Sequence, residues 1–372
     1  MNGGNIMVSY HNKAIKEIGD VVTGKTPPTA NEDYYDGEYM FISPTELHGD
    51  YAITKSAKTI TKSGLNSIRS NSIKGTSVLV GCIGWDMGNV GMCFEECATN
   101  QQINSITNIK EICNPYYLYY WLCGKKEYLF SIASVTRTPI LSKGTFEGVE
   151  IPLPTRKYQD SVAQVLNAID RKISLNKNIN DNLQQQLALI YEHMMSQAMK
   201  NEIHGHFTTV SKLSEVVTGK EDANFSTFNG KFKFFTCSND TLNCNEYIWD
   251  ASAILIAGNG DFNVKHYTGK FNAYQRTYVL IPYIDYYGLL YMASLHQINS
   301  FKSASAGSIV KFITKGDIEN IPVFIPDDSN YLEQMNQLVL FQENNNHENE
   351  ELNAIRNWLL PMLMNGQVTV TD

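Results

Sequence analysis

The 372-residue chain has room for two or three domains at about 150 residues each, and its 43% hydrophobic and 18% charged content excludes a disordered or fibrous chain. The net charge of −8 argues against a nucleic-acid partner until its distribution is read. Residues 1–157 carry 15 basic and 15 acidic side chains, whereas residues 328–372 carry 1 and 7, so the acidic excess belongs to one terminal segment.

The opening MNGGNIMVSYHNK holds no hydrophobic signal core, and no apolar run approaches the roughly 18 residues of a membrane span, which points to a cytoplasmic protein. IGDVVTGK (18–25) is a short strand and turn, and YMFIS (39–43) a further strand. Residues 53–75 contain Lys55, Lys58, Lys62, Arg69 and Lys74 and no acid, a loop whose basic face suits phosphates. VLVGCIGWDMGNVG (78–91) is an apolar strand running into a Gly-rich turn that carries Trp85 and Asn89. TNQQINSI (99–106) follows with Gln101 and Gln102. Asn114-Pro115 then caps an aromatic helix. Ser134, Thr136, Arg137 and Thr138 form a polar loop before SKGTFEGVEIPLP (142–154). From residue 158 to 199 apolar groups recur at 3–4 spacing through Ile169, Ile173, Leu183, Leu187, Ile190 and Met194, with Asn176 and Asn180 filling two seam positions. His204-x-His206 lies in a linker.

The series then repeats. LSEVVTGK (213–220) ends in Lys220, and AILIAGNGDFNV (253–264) carries Asn259 and Asp261. NAYQRTYVL (272–280) carries Gln275 and Arg276, and YYGLLYM (286–292) matches the aromatic helix. Ser303, Ser305 and Ser308 precede TKGDIENIPVFIP (314–326). Five matches in the same order make two copies of one α+β unit, with a period too long for a solenoid. A second long helix starts near Tyr331, places Leu338, Leu352, Ile355, Leu359 and Leu363 in its stripe, and stops near Asn365-Gly366, with Pro361 kinking or weakening the last turn. A 42-residue helix spans about 63 Å. Two such helices are expected to bury their stripes against each other, antiparallel; packing of each on its own globular copy is the alternative.

No P-loop, GxSxG elbow, metal spacing or GxGxxG is present. NPYY (114–117) resembles the NPPY loop of adenine-N6 methyltransferases but lacks the second proline and opens an ordinary helix. The chain reads as non-catalytic. With an odd count of seven cysteines and no CxxC pair, buried reduced thiols are expected.

The order VVTGK, Gly turn, NQQ, Pro-Tyr-Tyr helix, SKG…IPLP and then YQDSVAQVLNAIDRKI resembles the specificity (S) subunit of Type I restriction-modification systems, over nearly the whole chain. The resemblance implies target recognition domains at 1–157 and 207–327, a central spacer helix at 158–206 and a C-terminal spacer helix at 328–372. It also implies a pseudo-two-fold pair of α+β domains separated by antiparallel coiled-coil helices. The implied partners are double-stranded DNA with a bipartite site, two methyltransferase (M) subunits and, in the cutting assembly, restriction (R) subunits. S-adenosylmethionine would belong to M, and ATP and Mg to R, with no cofactor on this chain. The spacer and docking residues would be Arg171, Ile173, Asn176, Asn180, Leu183, Leu187, Leu352, Ile355 and Leu359. Lys25 and Lys220 would meet phosphates; Gln101, Gln102 and Gln275 have the amide that reads adenine, and Arg276 the guanidinium that reads guanine. The second copy lacks counterparts of Arg156 and Arg171. A self-sufficient methyltransferase and a structural adaptor without a DNA role are the competing readings.

Overall fold

The structure, a computed structural model, describes residues 9–134, 137–260, 262–304 and 312–368. It divides into two units, residues 1–174 with 349–372 and residues 175–348.

In the first unit β1 (His11–Ala14) leads through α1 (Ile15–Ile18) to β2 (Asp20–Thr23), β3 (Tyr35–Ile42) and β4 (Lys58–Ile60). After α2 (Lys62–Ser67) come β5 (Ser72–Ile73), β6 (Ser77–Gly81), β7 (Val90–Cys93), β8 (Cys97–Thr99) and β9 (Ile103–Thr107). Helices α3 (Pro115–Cys123), α4 (Lys126–Ser131) and α5 (Lys143–Glu147) precede β10 (Glu150–Leu153), which pairs antiparallel with β1. Two four-stranded sheets result, ordered β2-β9-β6-β7 and β4-β3-β8-β5. β6 is apolar and buried on both faces, as a run of Val and Leu without polar alternation demands. Val78 and Val80 join the core under α3, whereas Leu79 faces Met40, Ile42, Leu47 and Ile103 on the opposite side. The α3 cap is as the sequence predicts: Asn114 Oδ1 accepts from the Tyr116 and Tyr117 amides, and Pro115 is at N1.

In the second unit β11 (Gly205–Thr209), α7 (Val210–Leu213) and β12 (Ser214–Thr218) are followed by β13 (Phe232–Phe235), β14 (Leu242–Cys244), β15 (Trp249–Ala257), β16 (Val264–Ala273) and β17 (Thr277–Pro282). Helices α8 (Tyr287–Ala304) and α9 (Lys315–Glu319) lead to β18 (Pro322–Pro326), antiparallel to β11. His206 thus lies in a strand rather than a linker. One six-stranded sheet forms, ordered β12-β17-β15-β16-β13-β14. Its first four strands repeat the order β2-β9-β6-β7, so the sequence matches that fall in these strands are also matches of sheet position. Ile254 and Ile256 pack toward α8, and Ala253 and Leu255 toward Phe235 and Phe271.

The long helices, α6 (Arg156–Met199) and α10 (Asn330–Met364), each contribute to both units. In the first unit Tyr158 Oη donates to Leu363 O at 2.8 Å, and Arg356 Nη1 to Asp170 Oδ1 at 2.7 Å. In the second, Asn180 bonds Asn345 and Asn346, and Tyr331 Oη donates to Gln197. Partner numbers fall along α10 as they rise along α6, so within each unit the pairing is antiparallel. α10 continues through Pro361 to Met364, and Gly366, at φ +68°, follows its end. The seven cysteines are free thiols; burial pushes the Cys82 and Cys113 thiols up to about 12. Among the described residues, no helix is long and apolar enough to cross a membrane.

Candidate functional site

The antiparallel order β2-β9-β6-β7 brings four strand ends to one edge of the sheet: the end of β2, the start of β9, the end of β6 and the start of β7. The glycine of VVTGK makes the first of these junctions. A Cβ on Gly24 would lie 2.1 Å from Asn100 O and 2.4 Å from Thr99 O, so only glycine lets the two backbones meet. Gly24 N–H donates to Ile103 O at 3.0 Å and Lys25 N–H to Thr99 O at 2.9 Å, which leaves the Lys25 side chain exposed beside the 100–102 turn. Thr26 Oγ1 lies 2.9 Å from Gln101 Oε1. Gln102 is held by Asn100 twice: its N–H donates to Asn100 Oδ1, and its Oε1 accepts from Asn100 Nδ2, both at 3.0 Å. Cys82 N–H donates to Gln102 O at 2.7 Å, and Leu141 N–H to Cys82 O at 2.9 Å. The Gly turn therefore sits between the glutamine turn and the polar loop that contains Arg137.

Gly84 (φ +81°) and Gly88 (φ +82°) shape the turn. Its Trp85 is 80% exposed and stacks on Phe130 at 5.9 Å. Sequence reasoning missed the group that braces it. His48 Nε2 is 3.0 Å from Asp86 Oδ1, the Asn89 amide nitrogen is 3.2 Å from His48 Nε2, and Lys126 Nζ donates to Asn89 Oδ1 at 2.7 Å. These residues are 37 to 41 positions apart in pairs, and no local pattern links them.

The basic stretch 53–75 is not a loop with one free face. It forms β4, α2, a 3₁₀ turn and β5, and Glu96, from the break between β7 and β8, pairs with both Lys62 (3.4 Å) and Lys74 (3.2 Å). Lys74 and then Lys62 hold the Glu96 carboxyl below its ordinary range. Lys62 Nζ also lies over the Tyr39 ring at 4.8 Å. Arg69 is on the 3₁₀ turn whose Asn71 Nδ2 donates to Thr23 O at 2.9 Å, which places it beside the end of β2 and near Lys25. Lys55 and Lys58 are exposed, with no ion pair among the described residues.

The second unit rebuilds the same junctions. A Cβ on Gly219 would lie 2.2 Å from both Ala273 O and Tyr274 O. Gly219 N–H donates to Thr277 O at 3.0 Å, Gly258 N–H to Arg276 O at 2.9 Å and Ile313 N–H to Gly258 O at 2.8 Å, mirroring the bonds of Gly24, Cys82 and Leu141. Lys220, Gln275 and Arg276 are exposed on this edge, with Asn259 half-buried before Gly260 (φ +73°). Gln275 Nε2 donates to Asp222 Oδ1 at 2.8 Å, a partner not anticipated from sequence. Lys265 Nζ reaches Ser238 O at 2.6 Å over the Phe235 ring, and burial lowers its ammonium pKa. Thr136, Asp261, Ser305 and Ser308 lie outside the described residues.

The helix faces differ from the expected seam. Ile173, Asn176 and Leu187 are buried, Asn180, Leu183, Leu352 and Leu359 half-buried, and Arg171 exposed. Ile355 is 46% exposed and does not lie in the seam. Its neighbour Arg356 does, donating to Asp170, which is 4% exposed and also accepts from Tyr120 Oη at 2.7 Å. In the second unit an amide ladder takes this place. Asn180 Oδ1 accepts from Asn345 Nδ2 (2.8 Å), its Nδ2 donates to Asn346 Oδ1 (2.9 Å), Gln342 Nε2 donates to Asn180 O (3.0 Å), and Asn176 Nδ2 to Glu348 (2.7 Å).

Among the described residues no group of three His, Cys, Asp or Glu side chains is placed to hold a metal. The exposed cations and amides on each loop edge, joined by Trp85 on the first, are chemically equipped for binding.

The family profile for the Type I restriction modification DNA specificity domain matches residues 7–185 and again 208–354. The chain is 37% identical over 167 residues to the Type I restriction enzyme EcoDI specificity subunit of Escherichia coli, a stretch equal to 43% of this chain and 38% of that protein. It is 30% identical over 171 residues to the HindI specificity subunit of Haemophilus influenzae, covering 43% and 37%. The matched stretch thus spans less than two fifths of the length of these relatives. Among solved structures, the S subunit of a Type I restriction-modification system from M. genitalium shares the fold across 100% of this chain and 99% of its own, with a TM-score of 0.61 at 16% identity.

Proposed function

The chain belongs to the family of Type I restriction modification DNA specificity domains, and from this membership we propose that it is the non-catalytic, sequence-recognising subunit of a Type I restriction-modification complex. Each unit reads one half of a bipartite double-stranded site through its loop edge. The observation that carries the reading is the duplicated edge: Gly24 and Gly219 make the same junction, and Lys25 with Gln101 and Gln102 recurs as Lys220 with Gln275 and Arg276.

On this reading Lys25, Lys220, Arg69, Lys55 and Lys58 meet phosphates, which set register and affinity. Gln102, Gln275, Arg276 and the Trp85 turn face base edges. The outer faces of α6 and α10 dock two M subunits in the cytoplasm, with R subunits joining in the cutting assembly. S-adenosylmethionine belongs to M, and ATP with Mg to R. The test is selection of bound sites from random duplex DNA by the chain with and without its cognate M subunit. A two-part motif from the complex is expected. A complex that binds every sequence equally, or robust S-adenosylmethionine binding by the isolated chain, contradicts the proposal.

A further inference from the structure

Taken as residue types, the glutamines on the two loop edges are equivalent, since each carries one acceptor and an NH₂ donor. Their neighbours make them different. In the first unit the Gln102 backbone N–H can only donate, so the atom of Asn100 that faces it at 3.0 Å is the carbonyl Oδ1. Asn100 Nδ2 then faces the Gln102 side chain, and the atom it meets is necessarily the carbonyl Oε1. The Gln102 carbonyl is turned inward, and what remains to face a ligand is the NH₂. In the second unit Asp222 Oδ1 can only accept, so the Gln275 atom 2.8 Å away is Nε2, and the Gln275 carbonyl points away from the carboxylate. Gln275 retains an outward acceptor with its second N–H beside it. Gln101 is not determined in this way, because the Thr26 hydroxyl next to it can donate or accept.

Resting on the DNA-recognition reading above, we propose that Gln102 and Gln275 read opposite hydrogen-bond polarity in the major groove. At the groove edge guanine O6 and adenine N6 occupy the same place with opposite polarity, as do thymine O4 and cytosine N4. Gln102, a donor only, matches the keto oxygen of guanine or thymine and cannot meet the amino group of adenine or cytosine that takes the same place. Gln275 keeps the acceptor–donor pair that matches adenine N6 and N7, and the neighbouring Asp222 carboxylate disfavours the keto oxygen of guanine. Asn100 and Asp222 are the positioning residues: each contacts its glutamine and sets which of the two amide atoms is offered.

The experiment is site selection from a random duplex library by the complex reconstituted with its cognate M subunit, using wild type, Asn100→Asp, Gln102→Glu and Asp222→Asn. In Asn100→Asp the second carboxylate oxygen faces Gln102 and accepts from its NH₂, so the carbonyl turns outward. One position in the first-unit half is expected to change by a transition, guanine to adenine or thymine to cytosine, by about tenfold in preference, with the second-unit half unchanged as the internal control of folding. Gln102→Glu leaves Asn100 in place, presents acceptors only, and is expected to give the same transition. Asp222→Asn releases Gln275 to turn either way, relaxing one adenine position to accept guanine. If wild type selects a bipartite site while Asn100→Asp and Gln102→Glu keep the same base at every position, the polarity assignment falls and DNA recognition stands. If wild type selects no sequence, both fall.

Discussion

In the first unit β6 and β7 stop after five and four residues, and β5 and β8 continue their course only after breaks at Lys74–Thr76 and Phe94–Glu96, so two sheets form. In the second unit the corresponding β15 and β16 run unbroken for nine and ten residues, and a single sheet of six strands results. The free side of the shared strand is covered differently as well. In the first unit the Tyr51–Ile53 segment pairs with Met92 of β7. In the second, Glu343 of α10 accepts from Thr268 N–H of β16, while its other oxygen takes His266 and Tyr287 Oη. An exposed strand edge needs some such cover. What has not diverged is the set of backbone junctions at the loop edge, down to the glycine that lets two backbones touch, even though the Gly turn itself is shorter in the second unit. The duplicated unit is therefore free in how it completes its sheet and constrained in how it presents its turns.

The helix contacts separate the units most sharply. Arg356→Ala leaves the Asp170 carboxylate buried with the Tyr120 hydroxyl still donating to it, and removing one partner of such a pair costs about 3 kcal/mol. Asn180→Ala removes three neutral side-chain hydrogen bonds at a half-buried position, to Gln342 O, Asn345 and Asn346, together worth about 2 kcal/mol. Denaturant unfolding of both variants is expected to rank them in that order; equal losses would mean that the charge is not the stronger tie. Next come Gly24→Ala and Gly219→Ala. Each drives a Cβ into backbone oxygens, a strain of about 1–3 kcal/mol, and each is expected to blur only its own half of the selected motif. A smaller effect distinguishes the lysines. Lys55→Ala with Lys58→Ala removes cations without an ion pair and is expected to flatten the salt dependence of DNA binding by up to ~1.8 in log–log slope. Lys62→Ala with Lys74→Ala removes two cations that share the Glu96 carboxylate, so one of the two charges is already balanced, and is expected to change it less.

The smallest effect is with pH. Burial tends to raise the Glu46 pKa, but hydrogen bonds from the Ala57 N–H and from the Ser43 hydroxyl and N–H outweigh it and hold the carboxyl below its ordinary value. Hydrogen bonds from the Thr314 hydroxyl and N–H do the same for Asp317 in the second unit. A lowered folded-state pKa gives stability that is present above the unfolded pKa and lost as pH falls through the folded one. Glu46→Gln and Asp317→Asn are therefore expected to lower stability at neutral pH, leave it little changed at low pH, and so flatten the acid side of the stability profile.

The duplication was legible because turns that demand glycine or a fixed polar residue resist drift, and the long α6 because its 3–4 spacing is unbroken by Gly or Pro. The α10 seam was misread at Ile355 for a physical reason. Gln342, Asn345, Asn346 and Asn349 fill the positions where apolar groups would have kept count, so the stripe cannot be carried across them. The next turn then buries Arg356 against Asp170 while Ile355 faces outward. The pairing of Glu96 with Lys62 and Lys74 was invisible because Glu96 comes from the break between β7 and β8, outside the basic stretch. The His48–Asp86–Asn89–Lys126 brace was invisible because it joins three separate segments of chain.

The most direct test of two independent readers is the selected motif of the M-bound complex after residues 207–327 are replaced by the matching segment of another family member. The duplicated loop edge predicts that one half of the bipartite motif changes completely and the other keeps every base. A change in both halves, or in neither, would contradict it.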